Sequence, residues 1–315
     1  MDDKVNLAQL PTSILQHHYA TLRGPLKEWL THDRVPPVLL LTGQPGIGKR
    51  QIAHFLSQTL LCHQNGHPQT DIFPCNQCPS CLKILKGQSV DLTEITSAAD
   101  ESDGKSSRSL KADQFRNLRA SIGFGALESR YRTVIIPEAE RMTPQAANSV
   151  LKILEEPPAG WIFFLTTHDS TLLLPTLVSR CQILRLKPLS DDQIQALLEN
   201  SVSNTTFSDP ERRRICAALA QGSWNRALEF SQDDVWQQRK VLFRFLLEPA
   251  AVFQNLIDWA SQEPPRFYIL IDLLEQLTAE LIRWTIQPQH PWLQADGNHE
   301  LSEHAQLVTR TLGHV

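Results

Sequence analysis

The chain has 315 residues, a formal net charge of −4, a hydrophobic content of 41% and a charged content of 20%. This composition predicts a folded protein of two or three domains and argues against a globally basic nucleic-acid binder. No apolar run reaches the roughly 18 residues of a membrane span, and the N-terminus lacks a signal-peptide pattern, so we expect a cytoplasmic protein. Its six cysteines are then expected to be thiols or metal ligands rather than disulfides.

A helical lead-in is predicted over residues 14–30, with Gly24 and Pro25 interrupting it, because proline removes a backbone donor and clashes with the preceding turn. The pair His17 and His18 is open to two interpretations, a metal site or an ordinary solvated helix face. Since no second pair of ligands lies nearby, we expect the solvated face.

A buried strand over Val38–Thr42 is predicted to lead into a glycine-rich turn and then a helix from about Lys49 to Leu61. Glycines at this spacing let backbone N–H groups converge on phosphate oxygens, while the helix N-terminus and the lysine add positive charge. The residues of this loop are Gly43, Gly46, Gly48 and Lys49. The sequence therefore predicts a phosphate loop.

Two features of this loop's surroundings argue against ATP hydrolysis. A working NTPase carries Ser or Thr after the lysine to hold Mg²⁺, whereas Arg50 has donors only and cannot ligate a metal. At the end of the third predicted strand, Pro137 stands where a metal-holding Asp is needed, with Glu138 following. We therefore expect that ATP and Mg²⁺ are not bound productively. A register shift that makes Glu138 the metal ligand is the alternative.

Four cysteines directly follow the phosphate-loop helix, within residues 62–81. They are Cys62, Cys75, Cys78 and Cys81, the last three spaced as Cys-x-x-Cys-x-x-Cys. Such turns place thiolates on one metal, and sulfur ligands suit tetrahedral Zn²⁺. Free or redox-active thiols are the alternative, and His63 and His67 are possible substitute ligands. The pattern favours a closed, structural zinc site whose metal orders the intervening loop.

Further strands are predicted at residues 91–95, 131–136, 161–166 and 182–186, with helices or turns between them. A polar loop is predicted at 97–109 and a helix from Leu110 to Ile122. Another helix has Thr143 as its cap, Pro144 at its first position and Pro157-Pro158 at its end. Strands alternating with helices predict a five-stranded parallel α/β sheet covered on both faces.

After this α/β domain, residues 1–187, the strand patterns stop. Three short helical patterns, starting at Ser190, Asp209 and Ser223, predict a small helical lid over residues 188–232. The rest of the chain, 233–315, is predicted to be an all-α collar domain, including a helix from Phe267 to Trp284.

Taken together, these motifs resemble those of clamp-loader subunits of the AAA+ class. The resemblance is carried by the phosphate loop, the four-cysteine insert, the segment Ala146–Pro158 and the triplet Ser179-Arg180-Cys181, and it covers essentially the whole chain. It implies an AAA+ domain with a zinc-binding insert, followed by the lid and an oligomerising collar. It also implies a ring-like complex that places a sliding clamp on primed DNA.

The resemblance gives Arg180 a role on a neighbouring subunit. In this family the arginine of Ser-Arg-Cys reaches the γ-phosphate held by the next subunit, where it neutralises charge during phosphoryl transfer. Ser179 and Cys181 are then expected to support the turn. The alternative for Arg180 is a surface arginine that forms a local salt bridge.

Two more positions match sensor residues of the family. Thr166 or Thr167 matches the family's sensor threonine, and Asn225 stands where the motor subunit has a phosphate-sensing arginine. Arg226 is adjacent and is a candidate substitute.

The departures at Arg50 and Pro137 resemble the non-hydrolysing delta-prime type rather than the tau/gamma type of subunit. The implied partners are tau/gamma-type ATPase subunits, a delta-type clamp-opening subunit and, indirectly, the sliding clamp and primer-template DNA. Two other functions stay open at this point, an active AAA+ ATPase with an unusual metal site and a zinc-dependent nucleic-acid-binding protein.

Overall fold

The computed structural model describes residues 12–64, 73–95, 109–122, 125–200, 209–245, 249–262, 266–271, 273–275 and 278. The chain divides into two compact units, residues 1–189 and 190–315. Residues 97–108 of the predicted polar loop, His67 and most of the segment after residue 275 lie outside the described residues. None of the described helices is both long enough and apolar enough to cross a membrane.

The first unit alternates strands and helices. Its elements are α1 (Thr12–His32), β1 (Val38–Thr42), α2 (Lys49–Leu61), α3 (Pro79–Leu85), β2 (Leu92–Glu94), α4 (Ala112–Ser121), β3 (Arg132–Ile136), α5 (Pro144–Glu155), β4 (Trp161–Thr167), α6 (Pro175–Val178) and β5 (Gln182–Arg185). The five strands form one parallel sheet of order β2-β3-β4-β1-β5. The predicted five-stranded parallel sheet is therefore confirmed.

Strand β1 lies inside the sheet, paired with β4 on one side and β5 on the other. Leu39 and Leu41 pack into a core with α1 and α2, whereas Val38 and Leu40 pack into a second core with α4 and α5. Successive side chains of a strand point to opposite faces, so the sheet is covered by helices on both faces. This arrangement places the end of β1, and hence the phosphate loop, at the carboxyl edge of the sheet.

Helix α1 corrects the prediction of an interruption at Gly24-Pro25, because it continues through Pro25. An internal proline costs roughly 3 kcal/mol. Leu22 and Leu26 flank it and are 3% and 1% exposed in the core. Burying leucine side chains gains about 1.5–3 kcal/mol each, so core packing offsets the cost of the proline.

The second unit is helical in the residues described. Its helices are α7 (Asp191–Asn200), α8 (Pro210–Ala220), α9 (Trp224–Phe230), α10 (Asp233–Phe245) and α11 (Pro249–Ser261), and residues 266–271 are helical as well. The first three of these helices are capped at their starts, because the side chains of Ser190, Asp209 and Ser223 accept backbone N–H groups of α7, α8 and α9. The predicted succession of helices after the last strand is confirmed.

Candidate functional site

The glycine-rich loop that is predicted to bind phosphate follows β1, and its glycines adopt conformations that other residues avoid. Gly48, at the N-cap of α2, has φ 91° and Gly46 has φ 76°. A Cβ on Gly43 would lie 2.8 Å from the carbonyl oxygen of Leu186. These positions require glycine because a side chain would be strained or would clash. The loop is therefore built around its glycines.

Lys49 folds back onto the loop in this structure. Its Nζ donates hydrogen bonds to the carbonyl oxygens of Gly43 at 2.8 Å and Gln44 at 2.9 Å. Burial lowers the pKa of Lys49, and the nearby negative charges of Glu140 and Glu138 partly oppose that shift. The ammonium thus makes its hydrogen bonds within the loop, at the position where a phosphate-binding lysine is needed.

Arg50, in the first turn of α2, is held by an acidic side chain of the edge strand β2. Its Nε donates to Glu94 Oε1 at 2.5 Å and its Nη2 donates to Glu94 Oε2 at 3.0 Å, a bidentate pair. His54 Nε2 lies 3.1 Å from the same Oε2. The Glu94 side chain is 15% exposed and that of Arg50 is 30% exposed. The corner where a nucleotide's Mg²⁺ ligand is needed therefore holds a guanidinium–carboxylate pair.

The electrostatics of Glu94 follow from these contacts. Burial by itself raises the pKa of this carboxyl, but hydrogen bonds from His54 and Arg50 and their charges outweigh burial and lower the pKa to about 2. Glu94 is thus a carboxylate at neutral pH, and the pair with Arg50 is ionic.

Glu94 and His54 are site residues that the sequence reasoning missed. A signal for them exists, since a charged residue in the first turn of a buried helix needs a counterion on the facing element. His54 follows Arg50 by four residues and so lies one turn along the same helix face. Glu94, the acidic residue of the short strand β2, is the counterion that both Arg50 and His54 contact.

The segment after β3 carries Pro137 at the position where a working NTPase needs an acidic metal ligand. Pro137 follows β3, and Glu138 adopts a left-handed conformation (φ 48°), with its N–H donating to Thr166 Oγ1 at 3.0 Å. Glu140 Oε1 lies 2.5 Å from His168 Nδ1. Thr166 is thus turned towards the backbone of this edge rather than towards solvent, with 2% of its surface exposed.

His18 corrects the expectation of a solvated histidine face. It is 2% exposed, and its Nε2 lies 3.3 Å from the carbonyl oxygen of Ile47 in the phosphate loop. Local sequence patterns do not indicate this contact, because it joins residues 29 positions apart. Helix α1 therefore supports the loop through a buried polar contact.

The four cysteines converge as the sequence predicts. The sulfur atoms of Cys62, Cys75, Cys78 and Cys81 all lie within 4.8 Å of one another. Three backbone N–H groups point to sulfur, from Cys75 to Cys62 Sγ, from Cys78 to Cys75 Sγ and from Cys81 to Cys78 Sγ. Four sulfurs this close, with N–H donors that stabilise thiolates, fit a tetrahedral Zn²⁺ site.

The neighbouring groups of the four-cysteine cluster bind the candidate ligand His63 and shift the pKa values of the thiols. His63 Nε2 lies 2.9 Å from the carbonyl oxygen of Glu128. Burial raises the pKa of Cys75, but backbone N–H groups of Gln77 and Cys78 outweigh it and lower the pKa to about 6. Burial raises the pKa of Cys81. A cation is the usual means by which such mixed thiols become four thiolates.

The triplet Ser179-Arg180-Cys181 follows the single turn of α6 on the surface of the first unit. The carbonyl oxygen of Thr176 accepts hydrogen bonds from Ser179 Oγ at 3.1 Å and from Arg180 Nη1 at 2.6 Å. Cys181 packs against the α4–α5 core, its Sγ donates to the carbonyl oxygen of Leu177, and burial raises its pKa to about 12. A thiol of this kind is protonated and unreactive.

Arg180 itself makes a second contact on its own chain. Its Nη2 donates to Glu155 Oε1 at 2.9 Å, in an ion pair whose side chains are 35% and 50% exposed. Glu155 is the last residue of α5. The local salt bridge considered as an alternative role therefore exists in the isolated chain, and it is exposed and monodentate.

Other cationic residues line a small cleft of about 120 Å³ between α4 and α5. The lining residues are Phe115, Arg116, Arg119, Asn148, Ser149 and Lys152. In the second unit, Asn225 and Arg226 lie in the first turn of α9, where Arg226 stacks its guanidinium 5.6 Å from the ring centre of Phe230.

Comparisons with known proteins give consistent relatives. A family model described as "DNA polymerase III, delta subunit" matches residues 20–190. DNA polymerase III subunit delta' of Escherichia coli is 32% identical over 241 residues, which cover 75% of this chain and 68% of that protein. Subunit delta' of Bacillus subtilis is 32% identical over 209 residues, covering 66% of this chain and 57% of that protein.

Subunit tau of Escherichia coli is 31% identical over 221 residues, 70% of this chain. The match covers 32% of tau, so the chain spans about a third of the length of that relative. Among solved structures, a DNA polymerase III gamma subunit-related protein from Thermotoga maritima has a TM-score of 0.42 at 17% identity, covering 86% of this chain and 75% of that one.

Proposed function

Because the chain belongs to the family of DNA polymerase III clamp-loader subunits, we propose that it is a delta-prime-type subunit that does not hydrolyse ATP itself. Arg180 acts in trans as an arginine finger on the ATP bound by a neighbouring subunit. Its partners are then tau/gamma-type ATPase subunits and a delta-type subunit of a complex that loads a sliding clamp onto primer-template DNA.

The observation that carries this proposal is the ion pair between Arg50 and Glu94. A guanidinium donates hydrogen bonds and cannot coordinate Mg²⁺. The Nε and Nη2 atoms of Arg50 both donate to the carboxylate of Glu94. Pro137 removes the acidic ligand at the end of β3 as well. Glu138 is in an ion pair with Arg141 at 2.9 Å. Nucleotide hydrolysis depends on the metal, so catalysis at this loop is not expected.

Three observations support Arg180 as the residue offered to a neighbour. It lies on the surface, its contacts are few, and the turn that bears it is fixed by the half-buried Cys181 and by the hydroxyl of Ser179. Arginine carries its charge at every physiological pH and presents a rigid fork to phosphate. An exposed guanidinium on a fixed turn is suited to a phosphate held by another subunit.

The test compares the purified chain with the complex reconstituted with candidate ATPase subunits. The chain alone is expected to show no Mg·ATP turnover above that of its Lys49→Ala variant. In the complex, Arg180→Ala is expected to leave assembly intact and to lower ATP turnover on the order of 10³-fold. Strong turnover by the chain alone that Lys49→Ala abolishes would establish the active-ATPase alternative, and unchanged turnover with Arg180→Ala would refute the finger.

The four-cysteine cluster is proposed to hold a structural Zn²⁺ ion, bound through the four sulfurs with no open position for substrate. Cys78→Ser is expected to lower the zinc content and the thermal midpoint together, since metal binding and local folding are coupled. Cys216→Ser is the control, because Cys216 is a buried cysteine of the second unit. Zinc stoichiometry that Cys78→Ser does not change would show that the ligand set is wrong.

Direct DNA binding is the competing function for a zinc-bearing chain, and the cationic α4–α5 cleft is the feature that favours it. Binding through phosphates weakens steeply with salt. If the isolated chain bound DNA with such a dependence, and Arg119→Ala together with Lys152→Ala removed it, the chain would contact DNA itself rather than through its partners.

A further inference from the structure

Arg180 is folded back on its own chain in the structure. Its Nη1 bonds the carbonyl oxygen of Thr176, four residues earlier, and its Nη2 bonds the carboxylate of Glu155 at the end of α5. The Arg180 side chain therefore lies along the turn of α6 that precedes it. In this conformation two of its three guanidinium nitrogens donate hydrogen bonds to groups of the same chain.

Glu155 has a physical reason to hold a cation. It is the last residue of α5 and Glu156 is the C-cap, so two acidic residues stand where the helix dipole is negative. Arg180 offsets this unfavourable charge. Glu155 therefore competes with any phosphate of a neighbouring subunit for the same guanidinium.

We propose that Glu155 is a positioning residue that holds Arg180 against its own chain through their ion pair, an arrangement called the parked state below. The ion pair must open before the arginine reaches a neighbour's nucleotide. The inference rests on the proposed function of Arg180 as a finger acting in trans. Glu155, a carboxylate on the same subunit, thereby sets the fraction of time in which Arg180 can reach the neighbouring subunit.

The size of the effect follows from the exposure of the pair. Exposed ion pairs contribute about 0.2–1 kcal/mol, which corresponds to about a 1.5- to 5-fold change in the population of the released arginine. A neighbour's triphosphate, with several negative charges in a less hydrated site, outcompetes such a contact. The parked state therefore slows the basal reaction without blocking the activated one.

The experiment measures ATP turnover of the reconstituted complex with Glu155→Ala and Glu155→Gln. Without clamp and DNA, Glu155→Ala is expected to raise the turnover number by about 1.5- to 5-fold with little change in KM, and Glu155→Gln by less, because its amide oxygen still accepts a hydrogen bond. With clamp and primed DNA, where the finger is fully engaged, both variants are expected to match the wild type. Glu156→Ala, the neighbouring exposed acidic residue, is the matched control.

The outcomes separate this inference from the function on which it rests. If Arg180→Ala slows turnover but Glu155→Ala leaves basal turnover unchanged or lowers it, parking is refuted and the finger stands. If Arg180→Ala has no effect, the proposed function fails and parking fails with it. In the Arg180→Ala background, Glu155→Ala is expected to change nothing, and an increase there would show that Glu155 acts by another route. Should Glu155→Ala fail to assemble, Glu155→Gln supplies the same comparison.

Discussion

Two arginine–glutamate pairs in the first unit differ in how firmly they are held. Arg50 forms a bidentate pair with Glu94, which also bonds His54 and is 15% exposed. Arg180 forms a monodentate pair with Glu155, which is 50% exposed. The arginines themselves are similarly exposed, at 30% and 35%. The difference therefore lies in the carboxylate and in the number of hydrogen bonds.

This difference separates a structural contact from an available one. Removing one partner of a buried pair leaves an uncompensated charge and is costly, so Arg50 is fixed at the corner of the phosphate loop. An exposed single contact costs little to break, so Arg180 is free to exchange partners. Arg50 is therefore held firmly by its partner, whereas Arg180 can exchange its partner at little cost. Under the proposed function, the partner that Arg180 gains is the nucleotide of a neighbouring subunit.

The free energy of unfolding is expected to change most at the partly buried pair of Arg50 and Glu94. Glu94→Ala leaves Arg50 and the 94% buried His54 without their carboxylate, and is expected to lower the free energy of unfolding by about 2–3 kcal/mol. That is less than for a fully buried pair, because Arg50 keeps part of its contact with water. Urea denaturation of the purified chain measures the difference.

The control for this variant is Glu128→Ala, which removes the exposed partner of Lys83 and is expected to cost less than about 1 kcal/mol. A loss with Glu94→Ala no greater than with Glu128→Ala would mean that the phosphate-loop corner is not held by this pair.

The next effect appears on acidification. The folded-state pKa of Glu94, about 2, lies below its ordinary value of 4.5, so its stabilising contribution is complete above pH 4.5 and is lost as pH falls from about 4.5 towards 2. The expected loss is on the order of 2 kcal/mol. Since other carboxylates titrate in the same range, the measured quantity is the difference in unfolding free energy between wild type and Glu94→Gln. A difference that does not change with pH would contradict the ionic pair.

Much of the fold was predictable from local signals. The strand Val38–Thr42 has four successive apolar residues and lies inside the parallel sheet, and Thr143 with Pro144 marks the start of α5 within one residue. The spacing of Cys75, Cys78 and Cys81 predicted that their sulfurs converge, because each short turn brings two of them together. The cause in these cases lies within a few residues of the sequence, whereas Cys62 joins the cluster from 13 residues before Cys75.

What escaped prediction depends on contacts between distant residues. The continuity of α1 through Pro25 depends on the burial of its flanking leucines, and the burial of His18 depends on the loop carbonyl of Ile47. Glu94 escaped because its partner Arg50 lies 44 residues away. Charge pairing across the sheet edge is set by the register of β2, which the sequence pattern did not specify.

The free energy of unfolding is expected to change least at the exposed pair of Arg180 and Glu155. Glu155→Ala removes an ion pair worth less than about 1 kcal/mol but also removes a negative charge from the C-terminus of α5, which favours the variant by about 0.3–1 kcal/mol. The two terms nearly cancel, so the free energy of unfolding is expected to change by less than about 0.5 kcal/mol. A double-mutant cycle of Glu155→Ala with Arg180→Ala, measured by urea denaturation, isolates the pair itself and is expected to give a coupling below about 1 kcal/mol. The same cycle on Arg50 and Glu94 is expected to give a coupling at least twice as large. Equal couplings would mean that Arg180 is as firmly held as Arg50, and an arginine so held is not available to a neighbouring subunit.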